Sequence, residues 1–152
     1  MGVAQRLAEM SLSLPSLSKP RFRYVPFKRA GEIVHISGQV PRLADGSLLT
    51  GKVGGARSVE EAREAAKLCG LHILAVAKSI TGSLDDIEMI KVFGMVNAVP
   101  DFGDQPLVID ACSTLLEDVL GENGRHARSA IGVGSLPSNV MVEIDAVVRV
   151  IS

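Results

Sequence analysis

Two charged residues near the end of the chain, Arg128 and Glu143, are of types that do chemistry together. They stand in two short β-like runs, Arg128–Gly134 and Val140–Ile151, separated by a Leu136-Pro137-Ser138-Asn139 turn. In the first run Ile131 and Val133 share one strand face, which leaves Arg128 on the other. In the second, Val142, Ile144, Ala146 and Val148 form the apolar face, which leaves Glu143 and Asp145 opposite. If the runs pair as a hairpin, Arg128 and Glu143 become direct or diagonal neighbours, about 5–8 Å apart at Cβ. A guanidinium beside a carboxylate, with Ala130, Gly132 and Gly134 leaving room, can hold a small carboxylic acid and activate a water. The same pair can equally be an ordinary cross-strand salt bridge, and spacing does not choose between the two. Asp145 shares the face of Glu143 and can also pair with Arg128; it is read as structural.

Other reactive residue types are less telling. Cys69 and His72 lie three apart on one helical face, a spacing that metals use, but no second pair exists to complete four ligands. They are read as a core thiol and a capped imidazole. Cys69 and Cys112 each fall inside an apolar helix and are expected as buried free thiols. His35 alternates within a strand and is expected half-buried, while His126, just before Arg128, is a titrating group that can sit at a cleft mouth. The segment KPRFRYVPFKR interleaves cations with phenylalanines, a pattern that can bind single-stranded RNA. The phenylalanines are read as core, and a net charge of −1 argues against nucleic acid. Gly132-Val133-Gly134 lies between strands and is no dinucleotide loop.

The elements that must position these residues follow from periodicity. Residues 1–13 read as a short amphipathic helix and Ser11–Pro20 as a Ser/Pro-punctuated linker. Strands are expected at Phe22–Tyr24, Glu32–Val40 and Leu48–Thr50, the last two forming a hairpin through Ala44-Asp45-Gly46-Ser47. Ser58 and Glu61 make a capping box for a helix that Gly82 stops. A strand at Glu88–Val99, a helix from Pro106 to Leu120 ended by Gly121, and the two closing runs complete the order. Two helices suffice to cover one face of one mixed sheet, which gives an α+β fold.

A chain of 152 residues fits a single domain with a real core. Hydrophobic residues make up 47% and the mean hydropathy is +0.29, yet no apolar run is long enough to span a bilayer. The strand Ile90–Val96 is apolar at both parities although helices can cover only one side. Self-association through the uncovered sheet face is therefore expected. The N-terminus lacks an apolar stretch of signal-peptide length, so a cytoplasmic protein is expected, with no membrane association.

Several motifs carry a family resemblance. Ser37-Gly38-Gln39-Val40-Pro41, the helix SVEEAREAAKLCGLHILA, Ser83-Leu84-Asp85-Asp86-Ile87, Asp101-Phe102 and HARSAIGVGSLPSNVMVEIDA together resemble the RidA/YjgF family of enamine/imine deaminases, over about Tyr24 to Val150. The resemblance divides the chain into an N-terminal helix and linker, 1–20, and a RidA/YjgF-like domain, 21–152. It implies a chorismate-mutase-like fold and a homotrimer with three clefts between subunits. It also implies hydrolysis of small carboxylate-bearing enamines or imines, such as 2-aminoacrylate, to a 2-keto acid and ammonia, with no metal or organic cofactor. By position, Arg128 matches the arginine that grips the substrate carboxylate and Glu143 the glutamate that activates water. Tyr24 and Ser37 match residues of the cleft. Ala130 stands where the deaminases usually carry a substrate-contacting cysteine, and Pro106 aligns with a cleft asparagine. With the N-terminal helix and the GENGRH approach, these departures mark a divergent subgroup. Two further functions fit the same resemblance: a non-catalytic trimer that binds a 2-keto acid, and, more remotely, an RNA-acting protein, since relatives have been labelled endoribonucleases.

Overall fold

The computed structural model describes residues 1–151. A short helix, α1 (Val3–Glu9), opens the chain; its Val3 is buried and its Arg6 donates to the Val119 carbonyl at 3.0 Å. There follow β1 (Phe27–Ala30), β2 (Ile33–Gln39), α2 (Val59–Thr81), β3 (Ile87–Asn97), α3 (Gln105–Leu120), β4 (Ala127–Val133) and β5 (Val142–Val150). The strands form one mixed sheet in the order β1-β2-β5-β3-β4, with only β3 and β4 parallel. Helices α2 and α3 pack side by side on one face, and the α+β expectation holds.

The helices form where the sequence places their caps. Ser58 accepts from the Glu61 backbone and Glu61 accepts from the Ser58 backbone, and Gly82 ends α2 at φ 92°, the left-handed region that glycine adopts without cost. The buried stripe of α2 is small over its first half (Ala62, Ala65, Ala66, Cys69), where the helix lies close to α3, and larger over its second, where Ile73, Leu74 and Val76 fill the core. A Cβ on Gly70 would meet the Leu115 side chain at 2.9 Å and the Cys112 sulfur at 3.1 Å. Both cysteines are buried and free, and burial pushes the Cys112 thiol up to about 12 and the Cys69 thiol well above its ordinary value. Thiols so protonated are packing groups.

The β3 sequence is apolar at both parities for two reasons. A register shift between Met89 and Lys91 moves the buried set from Ile87 and Met89 to Val92, Gly94 and Val96. Beyond it, Phe93 and Met95 lie half-buried on the face that no helix covers.

Three expected elements differ. Phe22–Tyr24 is not a strand, and Phe22 is 81% exposed rather than part of the core. Leu48–Thr50 makes only isolated bridges: Leu48 closes a tight hairpin on Arg42, and Thr50 bridges Val140, so the run joins the chain just ahead of β5 instead of pairing along β2. The closing runs are not a hairpin. Strand β4 lies parallel to β3, from Lys91 beside Ala127 to Asn97 beside Val133, and β5 occupies the opposite edge of β3. The parallel pair requires a crossover, which α3 supplies. The turn through Pro137–Asn139 therefore steps across β3, about 10 Å at ordinary strand spacing, a span its residues easily reach.

The entry to β4 is tightly fixed. A Cβ on Gly124 would stand 2.2 Å from the Leu116 carbonyl oxygen, and a backbone atom cannot swing aside. Gly124→Ala is predicted to destabilise the fold by about 2 kcal/mol or more through overpacking. An unchanged denaturant midpoint would show that this turn is not held against α3.

No helix is long and apolar enough to cross a membrane among the described residues.

Candidate active site

The residues singled out by sequence divide into two groups on opposite faces of the sheet. Glu143 pairs with Met95 on the face that the helices leave open, while Val142, Ile144 and Ala146 are buried beneath α2. Arg128 pairs with Val92, a fully buried residue, so it points to the α3 side, and Ala130 beside Gly94 shares that face. Within one chain the sheet itself separates the arginine from the glutamate. The expected contact between them is absent, as is one between Arg128 and Asp145, which shares the face of Glu143.

Glu143 lies in a cleft of about 640 Å³ together with Tyr24, Ser37 and Gly38. It is half-buried, and its carboxylate rests on the Gly38 backbone, where a Cβ would meet Oε2 at 2.7 Å. A β-bulge between Ile36 and Gln39 brings Gly38 there. Burial first, and then the neighbouring Asp145 charge, raise the Glu143 pKa from its ordinary value. Asp145 is itself raised by burial, an effect that His35 and Lys91 oppose. His35 is exposed rather than half-buried, on the same open face.

Ser37 is a latch as well as a wall. Its hydroxyl donates to the Val25 carbonyl at 2.6 Å and its backbone N–H to that of Pro26, which pins the segment bearing Tyr24 to β2. The Ser37 oxygen retains lone pairs able to accept from a ligand N–H or a water. Tyr24 is 56% exposed and forms the outer rim.

On the other face, α3 holds Arg128. Its Nη1 donates to Ser113 Oγ at 3.2 Å and to Asp110 Oδ1 at 3.4 Å, and its Nη2 to the Pro106 carbonyl at 3.4 Å. Its side chain remains 24% exposed. Ser113 is nearly buried and bonds His126 Nε2 at 2.9 Å, while His126 Nδ1 meets the Gly124 carbonyl at 2.6 Å. A carbonyl can only accept, so a neutral His126 carries its proton on Nδ1 and takes the Ser113 hydroxyl proton at Nε2. Ser113 Oγ is thereby turned toward the guanidinium as an acceptor. Rather than standing at the mouth of the Glu143 cleft, His126 supports the group that supports Arg128. Sequence reasoning missed Asp110, Ser113 and His126 in these roles; the signal was their spacing, since Pro106, Asp110 and Ser113 recur at helical intervals on one face of α3. Pro106, aligned with a cleft asparagine, contributes its carbonyl.

The Arg128–Asp110 pair is long, and Asp110 is more than half exposed, which makes it worth only about 0.2–1 kcal/mol. Such a partner yields readily to an incoming carboxylate.

His72 is buried with Nε2 on the Arg42 carbonyl at 2.9 Å, as expected of a capped imidazole. No group of three metal-ligating side chains is gathered among the described residues.

The family model described as YjgF/chorismate mutase-like, which also bears an endoribonuclease label, matches residues 4–148. The chain belongs to the RidA/YjgF family. Protein TCP17 of Trypanosoma cruzi is 36% identical over 149 residues, covering 97% of this chain and 93% of its own. The crystal structure of Atu1372 from Agrobacterium tumefaciens, a protein of unknown function, superposes with a TM-score of 0.88 at 44% identity, covering 97% of this chain and 93% of its own. A 2-iminobutanoate/2-iminopropanoate deaminase of Dermatophagoides farinae is 24% identical over 138 residues, 90% of this chain and 93% of its own. The fold is thus the YjgF/chorismate-mutase-like fold of this RidA/YjgF protein's relatives.

Proposed function

We propose that the protein hydrolyses small carboxylate-bearing enamines and imines to a 2-keto acid and ammonia, in a cleft built by two copies of the chain within a homotrimer. The observation that carries this reading is the placement of Arg128 and Glu143 on opposite faces of one sheet. A second copy, laying its α3 edge against the open face of the first, would bring the Arg128 guanidinium to the Glu143 carboxylate, which its own chain's sheet prevents. That open face carries the half-buried Phe93 and Met95 and the exposed Ile131, apolar surface that such a neighbour would cover.

In the assembled cleft, Arg128 takes the substrate carboxylate through its planar fork. A raised pKa makes Glu143 a better proton acceptor than an ordinary carboxylate. It draws a proton from a water as the water oxygen adds to the imine carbon. With the imine nitrogen protonated, the addition gives a neutral carbinolamine; Glu143 then returns its proton to the nitrogen, which leaves as ammonia while the carbinol hydroxyl gives up its proton to solvent and becomes the keto oxygen. For 2-aminoacrylate, tautomerisation to the imine followed by addition of one water gives pyruvate and ammonia. In this reading Ser37 Oγ, whose proton is committed to the Val25 carbonyl, accepts from the imine N–H. No metal or organic cofactor enters this scheme.

The test is ammonia release from 2-aminoacrylate generated in situ, compared with the spontaneous rate. Acceleration supports the reading, and its absence in a folded oligomer removes it. A second reading, capture of a 2-keto acid without turnover, is favoured by one feature: Ala130 leaves the α3 side of the site without a reactive side chain beside Arg128. Calorimetric binding of 2-oxobutyrate that depends on Arg128, without turnover, would select it.

A pH prediction follows from the pair on the open face. Asp145→Asn removes the neighbouring negative charge, so ionised Glu143 becomes easier to form and its pKa falls. The acid limb of the activity profile is predicted to move to lower pH. A limb that stays in place would mean Glu143 is not the titrating base.

A further inference from the structure

The segment between α1 and β1 forms a wall of the Glu143 cleft, and this wall is cationic. Leu17, Lys19, Arg21 and Phe22 line the cavity beside Ser37 and Glu143. The segment is no loose tail. Upstream, Val3 is buried, Arg6 is bonded to the Val119 carbonyl, and Leu12 and Leu14 pack on the core. Downstream, Pro26 and Val25 are hydrogen-bonded to Ser37, and Pro15, Pro20 and Pro26 restrict the backbone between. Fixed at both ends, the strap delivers Lys19 and Arg21 to one place.

Neither cation has an ion-pair partner among the described residues, although the chain as a whole carries 17 acidic against 16 basic side chains. Arg42 also lines the cavity, but its Nη1 is bonded to the Gly46 carbonyl of its own loop. The carboxylate in this cleft, Glu143, has a pKa that is raised, so the strap cations are not neutralising it. They are available to a ligand.

A charge count then bears on what enters. In the hydrolysis reading, on which this inference rests, a substrate with one carboxylate is matched by Arg128 of the neighbouring copy. Lys19 and Arg21 exceed that need. We infer that the strap recognises a second anionic group at the far end of the ligand, so that the preferred substrates are imines of dianionic 2-keto acids, with a carboxylate or a phosphate as the second group. Phe22 and Tyr24, both exposed along the strap, offer apolar surface for the carbon chain between the two acids.

The test is calorimetric titration of the full-length oligomer with 2-oxobutyrate, 2-oxoglutarate and 3-phosphohydroxypyruvate, which differ in the second group. The wild type is expected to bind at least one dianion about tenfold more tightly than the monoanion, the scale of one charge-assisted hydrogen bond. The affinities of the two dianions separate a carboxylate from a phosphate preference. In Lys19→Ala/Arg21→Ala the ratio of dianion to monoanion affinity is expected to fall to near one, and in Lys19→Arg/Arg21→Lys to survive. Equal affinities in the wild type, or a ratio unmoved by the double alanine variant, would overturn the inference. Arg128→Ala separates the two claims: 2-oxobutyrate binding that ignores it ends the hydrolysis reading, whereas the dianion ratio is read independently.

Discussion

Arg128→Ala is expected to lower kcat/KM for 2-aminoacrylate by about 10²–10³-fold, the loss of two charge-assisted hydrogen bonds to the substrate carboxylate. The loss should fall mainly on KM, because the carboxylate is held in both ground and transition states. Stability should fall only modestly, since the ion pair to the half-exposed Asp110 is long and the bonds to Ser113 and the Pro106 carbonyl are long as well. Arg128→Lys keeps the charge but loses the fork, and should recover part of the binding. Steady-state keto-acid formation checks this, with a denaturant curve to confirm folding. Wild-type turnover in the alanine variant would show that the carboxylate is held elsewhere.

Glu143→Gln should act differently, lowering kcat by about 10²–10⁴-fold, the usual contribution of a positioned general base, with KM nearly kept. The amide is close to the carboxylate in shape and can still rest on Gly38, so the cleft keeps its form. What it loses is the capacity to take a proton from water at an oxygen whose pKa burial and Asp145 have raised. Calorimetric affinity for 2-oxobutyrate should be near that of the wild type. Parallel loss of binding and turnover would make Glu143 a structural residue.

The local elements were legible where caps and periodicity agree. Ser58, Glu61 and Gly82 define α2 because each satisfies a specific backbone group at a helix end. The faces of β5 were legible too, since alternation with Glu143 and Asp145 outward is a property of the strand alone. The pairing of β4 was not. A short Pro-Ser-Asn turn between two apolar runs looks the same whether it joins neighbours or steps across a third strand, and only the packing of α3 after β3 decides which. That one choice inverts the face of Arg128 relative to Glu143. The strap was misread for a related reason. Phe22 reads as core by its chemistry, yet it lies along an outer wall where the tethers of Ser37 hold it. The polar chain Arg128–Ser113–His126 escaped because its members come from two elements, and only their tertiary approach joins them.

In the proposed function a competent site draws its cation and its base from different copies of the chain. Mixing addresses it directly. Arg128→Ala and Glu143→Gln, each inactive alone, are unfolded together and refolded at equal concentrations. Each heterologous interface pairing the arginine of one variant with the glutamate of the other regains a complete site, and random assembly predicts about a quarter of wild-type activity. Mixed oligomers that form but stay inactive would contradict the shared site.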